Sequence, residues 1–95
     1  MYLRTVRFQV KQSSMGQFRS VAEGTKAAVA RFDGLQSTQV AMDNSGKGIL
    51  VGVWDSEEKA MAGMDASNEI WAGVAEHLEA PPEYVDYPHC MALRV

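Results

Sequence analysis

His77 is one of two histidines in a chain of 95 residues. Histidine changes charge near neutral pH, so it is a natural candidate for a general base or a haem ligand. Around it, Ile70, Trp71, Val74 and Leu78 recur every three or four residues, the apolar stripe of an amphipathic helix. With 3.6 residues per turn, His77 falls about 20° from Ile70, on the flank of that stripe. Two placements follow. It faces the space beneath the helix, or it stands part-exposed near the helix C-terminus, where the dipole favours its charged form.

Asn68 and Trp71 lie three apart on the same helix and are near neighbours there. Tryptophan offers a flat apolar wall with one N–H donor, and asparagine offers both a donor and an acceptor. The pair suits a planar phenol or quinol and an oxyanion developing on it. The competing assignment makes Trp71 core and Asn68 a helix cap following a break at Asp65-Ala66-Ser67-Asn68. His77, Asn68 and Trp71 are the candidate catalytic residues.

Arg4 interrupts an otherwise apolar parity on the first strand. Buried, it needs a partner: an anionic substrate group, Asp86 or Glu83. The reading preferred from sequence places it at an exposed sheet edge. Tyr84 and Tyr87 fall on opposite parities, so at most one of them faces the helices. Met15, Met42, Met61 and Met64 fall on core faces, where flexible thioethers line a pliable pocket or fill an ordinary core. Arg4, Phe8, Met61, Met64 and Tyr84 are the candidate substrate contacts. His89 and Cys90 are adjacent on an extended segment and point to opposite faces, a poor geometry for joint metal ligation. No metal site and no cofactor is expected. Nucleophile elbow, phosphate loop and dinucleotide fingerprint are all missing from the sequence.

These residues need elements to hold them. Tyr2 to Lys11 alternates: Tyr2, Val6, Phe8 and Val10 fall on one parity, and Thr5, Arg7, Gln9 and Lys11 on the other. This predicts a half-buried strand. Ser14 and Gln17 have capping-box spacing, and Met15, Phe18, Val21, Ala22, Thr25, Ala28, Val29 and Phe32 make one helical stripe, ended by Asp33-Gly34. Leu35 to Asp43 is a second strand. The turn cluster Asp43–Gly48 then joins it to a third, Ile49–Trp54, as a hairpin. Asp55, with Glu58 three residues on, opens the next helix, which breaks near Ser67 and ends before Pro81-Pro82. Tyr84 to Val95 is the last extended segment, interrupted by Pro88.

The order is βαββαβ, a ferredoxin-like α+β fold with an antiparallel sheet, helices on one face and the first and third strands central. The third strand is apolar on both parities, so its second face needs a cover that one small domain does not supply. Two sheets packed face to face would supply it, which predicts a homodimer.

Composition fits this picture. Residues 1–95 make one domain, 46% apolar and 22% charged, as in ordinary globular chains. The net charge of −3 disfavours nucleic acid and anionic membranes as partners. A single cysteine excludes an internal disulfide. No run approaches the roughly 18 apolar residues of a membrane span, and Arg4 and Arg7 lie in an alternating pattern rather than a leader. The expected location is cytoplasmic.

The stretch Val51-Gly52-Val53-Trp54-Asp55-Ser56-Glu57-Glu58-Lys59-Ala60 resembles a hallmark of the antibiotic-biosynthesis-monooxygenase-like domains. In these domains the third strand ends in an aromatic, an acidic residue and a small polar cap, followed by a helix with an early alanine. The helix from Ser67 to Leu78 and a closing strand with Tyr84 and Tyr87 fit the same outline. The resemblance implies a dimeric α+β barrel. It also implies an oxygenase that needs no metal or flavin and acts on a small aromatic or apolar substrate between helices and sheet. Trp71 and Asn68 match such oxygenases by residue type, not by spacing. Other members resemble haem-degrading enzymes with an asparagine on the first strand. That asparagine is missing here, and Trp71 and His77 lie about 120° apart on the wheel, which disfavours haem binding or degradation. A dimeric ligand-binding or structural module without catalysis remains the alternative.

Overall fold

The computed structural model describes residues 1–94. Strand β1 (Tyr2–Gln9) is followed by helices α1 (Met15–Gly24) and α2 (Lys26–Val29), then by the hairpin β2 (Leu35–Met42) and β3 (Lys47–Trp54). Helices α3 (Glu57–Ala62) and α4 (Met64–Val74) lead through a 3₁₀ turn, Ala75–His77, to strand β4 (Glu83–Tyr87). The sheet order is β2-β3-β1-β4, every pair antiparallel. β1 and β3 are central, as the alternating and doubly apolar patterns predict. No helix among the described residues is long and apolar enough to cross a membrane.

Pleating assigns the faces. Tyr2, Arg4, Val6 and Phe8 of β1 stand opposite Trp54, Gly52, Leu50 and Gly48 of β3, and this row lies under the helices. Tyr84 and Asp86 of β4 oppose Val6 and Arg4 on the same side. The buried residues form two clusters, one at each end of the row. One joins Phe8 and Val10 to Phe18, Val74 and Leu78; the other joins Tyr2 to Trp54 and Ala60. Between the clusters lies the stretch from Arg4 and Gly52 to Val6 and Leu50.

Local chemistry moves several boundaries from where periodicity puts them. The first helical stripe is cut at Thr25, whose hydroxyl donates to the Ala22 carbonyl at 2.7 Å, a back-bond that competes with the helix ladder. Ser14 makes no side-chain cap. The cap of α3 is Ser56, not Asp55: its hydroxyl accepts from the Lys59 N–H at 3.2 Å. Asp55 instead accepts from Gln36 Nε2 at 2.7 Å. The helix break falls at Gly63 rather than at Asp65–Asn68, so Asn68 lies inside α4 and is no cap. A side chain at Gly63 would meet Trp54 Cη2 at 2.7 Å, and the ring's position explains the glycine. Gly34 and Gly46 take positive φ (82° and 87°) at the turns flanking β2. The last extended segment is shorter than predicted, because Pro88 follows the end of β4 directly; Val95 lies outside the described residues.

The outer face carries Leu3, Thr5 and Arg7 of β1, Ile49, Val51 and Val53 of β3, and Glu83, Val85 and Tyr87 of β4. Ile49 is 37% exposed and Tyr87 46% exposed.

Candidate functional site

Arg4 is not at a sheet edge. It sits on a central strand, 3% exposed. Burying a guanidinium demands partners, and the fold supplies three. Nε and Nη2 each donate to Asp86, at 3.0 Å, a bidentate fork. Nη1 donates to the Ala60 carbonyl at 3.1 Å, and Nη2 contacts Met61 Sδ at 3.7 Å. Asp86 faces Arg4 across the β1–β4 ladder, so strand register sets the pair. The Tyr2 hydroxyl also donates to Asp86.

The electrostatics follow. Burial works against the charged form of Asp86, but hydrogen bonds from Arg4 and Tyr2 and the guanidinium's charge outweigh it, leaving the carboxyl below its ordinary range. Burial likewise works against charged Arg4, and the Asp86 hydrogen bonds and charge more than restore it. The hydrogen bond to Asp86, then burial, raises the Tyr2 phenol above its ordinary value. Arg4 and Asp86 are therefore charged at neutral pH, and Tyr2 is neutral.

Above this group, between the two core clusters, lies a cavity of about 730 Å³. That is the size range of small-molecule sites. Its floor is the helix side of the sheet, with Arg4, Val6, Leu50, Gly52 and Trp54. Its walls are α1 and α2 on one side and Ile70, Trp71 and Val74 of α4 on the other. Arg19, Glu23 and Lys26 bring charge to the α1–α2 side. Trp71 stacks obliquely on Phe8, ring centroids 5.5 Å apart, and Phe8 on Phe18 at 5.2 Å, which closes one end. Trp54 meets Phe32 edge-on at 5.8 Å and closes the other.

Three of the eight residues proposed from sequence line this cavity: Arg4, Trp71 and Tyr84. The Arg4 guanidinium lies 5.8 Å from the Tyr84 ring centroid. The Tyr84 hydroxyl reaches Asn68 Oδ1 at 3.3 Å, and burial raises its phenol. Asn68 and Met61 thus touch lining residues without lining the cavity themselves. Phe8 stands behind Trp71. Met64 is half-buried at the start of α4, outside the lining. His77 lies past the end of α4, its side chain 15% exposed and Nε2 3.7 Å from Glu76 Oε1. It is not among the lining residues.

Trp54 and Gly52 belong to the doubly apolar third strand and to the stretch that carries the family resemblance, but are not among the site residues expected from sequence. Their signal was available: a glycine and a tryptophan two apart share one face, and the glycine leaves room that the tryptophan borders. Trp54 is 4% exposed, yet its ring lines the cavity. Among the described residues no hydrogen-bond acceptor is paired with its indole N–H. The same residues contain no group of three side chains placed to hold a metal ion.

No protein-family model matches the chain, and no curated protein matches it either. Solved structures do. A Nitrosomonas europaea protein of unknown function superimposes with a TM-score of 0.84 at 12% identity, covering 99% of this chain and 93% of its own. A second protein from that organism, provisionally named an antibiotic biosynthesis monooxygenase, gives 0.79 at 20% identity over 96% of this chain and all (100%) of its own. A Streptomyces coelicolor monooxygenase, ActVA-Orf6, determined with the ligand nanaomycin D, gives 0.76 at 19% identity over 99% and 91%. The chain has the antibiotic-biosynthesis-monooxygenase-like fold. At these identities the likeness speaks for the fold alone.

Proposed function

We propose that this protein is a small monooxygenase-like enzyme whose substrate is a planar, largely apolar phenol or quinol bound between helices and sheet. The observation that supports it best is the cavity: apolar walls, two tryptophans and a buried cation at its floor. The substrate supplies the electrons. A phenol and one O₂ give a quinone and one water; one oxygen atom enters the ring and the other leaves as water. Catalysis then needs a site that favours the phenolate and limits water. Arg4 and the Trp54 N–H stabilise the developing oxyanion, and Trp71 and Phe18 hold the ring plane. Glu23, the one carboxylate among the lining residues, receives the phenolic proton. Asn68 positions Tyr84. A neighbour of the same fold, from Streptomyces coelicolor, was determined with a bound small molecule, nanaomycin D, which supports reading the fold as one that holds a ligand. The active form is a homodimer through the outer sheet face, and the chain uses no metal or flavin.

Trp54 and Trp71 are the chain's two tryptophans, and both line the cavity, so intrinsic fluorescence reports occupancy. The test is oxygen uptake with a panel of naphthols and hydroquinones, run beside fluorescence titration. The expected result is uptake of one O₂ per quinone formed, reduced about a hundredfold by Glu23→Gln. Loss of uptake in His77→Ala with Glu23→Gln unaffected would move the proton acceptor to His77. Binding without uptake would leave a ligand-binding module, a reading favoured by how fully Arg4 is engaged by its own protein.

A further inference from the structure

The segment of residues 25–33 has open space on both sides. Lys26, Val29 and Ala30 line the cavity. Ala28 and Arg31 line a second, outer groove of about 330 Å³, whose opposite wall is Ala66, Glu69 and Ile70 of α4. Phe32 and Ile70 border both spaces. No residue of α2 is buried, and Phe18 is the only buried residue of α1. A four-residue helix is not stable by itself, and this one lacks the packing that normally holds such a piece.

The two ends of this segment differ. At the far end Asp33 pairs with Lys59, and the Gly34 carbonyl accepts from the Asp55 N–H at 2.8 Å, so the chain is anchored there. At the near end stands Gly24. Its φ is not positive, and an alanine methyl there would meet nothing within 4 Å. Neither backbone conformation nor packing calls for glycine, which weakens a helix relative to alanine. Thr25 follows, its hydroxyl bonded back to the Ala22 carbonyl. The pair makes a hinge. Between the ends, Phe32 is pinned edge-on against Trp54. Across the cavity lies β2, an edge strand. Val40 stands on its helix-facing side and lines the cavity, yet is 46% exposed. No helix covers this inward-facing valine.

We propose that residues 25–33 form a lid, hinged at Gly24–Thr25, that closes over a bound ligand toward Thr38 and Val40 of β2. This rests on the cavity being a ligand site and adds how that site shuts. Val29 and Val40 border the same open space. An apolar ligand between them touches both, and the surface it removes from water favours the closed arrangement. Phe32 stays against Trp54 through the motion, so the lid pivots rather than detaches. Closure also withdraws solvent from the ligand, the condition that phenolate chemistry sets.

The experiment follows 1-naphthol binding by stopped-flow tryptophan fluorescence and reads hydrogen exchange at the amides of residues 26–32 with and without it. Wild type is expected to show two phases. The rate of the first rises with 1-naphthol concentration, and the rate of the second reaches a plateau, as closure after encounter requires. Exchange at residues 26–32 should slow about tenfold on binding. Gly24→Ala stiffens the hinge, and Gly24 does not line the cavity, so any change in ligand kinetics passes through the hinge. That variant should lose the slow phase and release 1-naphthol about fivefold faster, with association within about twofold of wild type. A single phase in wild type with exchange unchanged, or wild-type kinetics in Gly24→Ala, overturns the lid while the cavity reading stands. Failure of 1-naphthol to bind wild type overturns the cavity reading and the lid with it. Should Gly24→Ala not fold, exchange in wild type decides, and no slowing at residues 26–32 overturns the proposal.

Discussion

Arg4 and Asp86 illustrate how a residue-scale arrangement constrains both stability and site. Each charge is acceptable where it lies because the other is within hydrogen-bond reach. Removing one partner strands the other. Asp86→Ala is expected to cost about 3 kcal/mol, lowering the melting temperature by roughly 12 °C or more for a domain of this size. The paired replacement Arg4→Met/Asp86→Leu should recover most of that loss, because it removes both charges; differential scanning calorimetry distinguishes the two. The pH dependence follows from the same group. The Asp86 pKa is depressed in the fold, so its contribution is complete above the ordinary carboxylate range, about 4, and is lost as pH falls through the lower folded value. The Tyr2 pKa is raised, so its contribution is complete below about 10 and is lost as pH rises through the higher folded value. Urea unfolding across pH should show both flanks. Asp86→Asn should flatten the acid one and Tyr2→Phe the alkaline one.

At the scale of elements, side chains on neighbouring segments decide where a helix stops. The residue at the α3–α4 break is held to glycine by Trp54, which occupies the space a side chain at Gly63 would need. Gly63→Ala is expected to destabilise by about 1–3 kcal/mol and to alter the near-ultraviolet circular dichroism of the displaced indole. Gly73, within α4, has nothing within 4 Å of its would-be Cβ. Gly73→Ala should stabilise by about 0.5–1 kcal/mol through helix propensity. Chemical denaturation of both variants gives opposite signs, although the substitution is the same. This contrast also shows what was legible in the sequence. Strand alternation in Tyr2–Gln9, the Asp43–Gly48 turn and the α4 stripe carry local signals, and the strand order follows from them. The break at Gly63 and the burial of Arg4 depend on contacts with Trp54 and Asp86, remote in sequence. Trp71 was legible as a site residue because the helix stripe faces inward. His77 was not placeable, because the chain leaves the helix through a 3₁₀ turn before reaching it. Gly52 gave no signal alone. Its spacing from Trp54 puts the two on one face, but what else borders the missing side chain depends on the cross-strand neighbours Arg4 and Thr38.

For the whole molecule, the sheet divides the labour between its faces. The helix side holds the two core clusters and the cavity. The other side presents Leu3, Val51 and Val53 on the two middle strands and Val85 beside them on β4, with Ile49 and Tyr87 exposed around them and the charged Arg7 and Glu83 toward one end. Solvated faces of antiparallel sheets are normally polar, so an apolar centre on the two middle strands argues for a permanent cover. A second copy meets the requirement with one self-complementary patch. A cover would matter for the site as well. β4 carries Asp86 and Tyr84 to the cavity and is held to the sheet on β1 alone. A partner sheet packed over Val85 and Tyr87 would brace that edge strand and, through Asp86, the orientation of Arg4. Sedimentation equilibrium is expected to give twice the chain mass. Val51→Asp/Val53→Asp should give the monomer with its circular dichroism retained. In that monomer the affinity for 1-naphthol should fall several-fold, because Arg4 loses the support behind its carboxylate. A wild-type chain that sediments as a monomer at tens of micromolar would overturn the dimer. Dissociation without any change in ligand affinity would confine the outer face to assembly and leave the cavity to fold on its own scaffold.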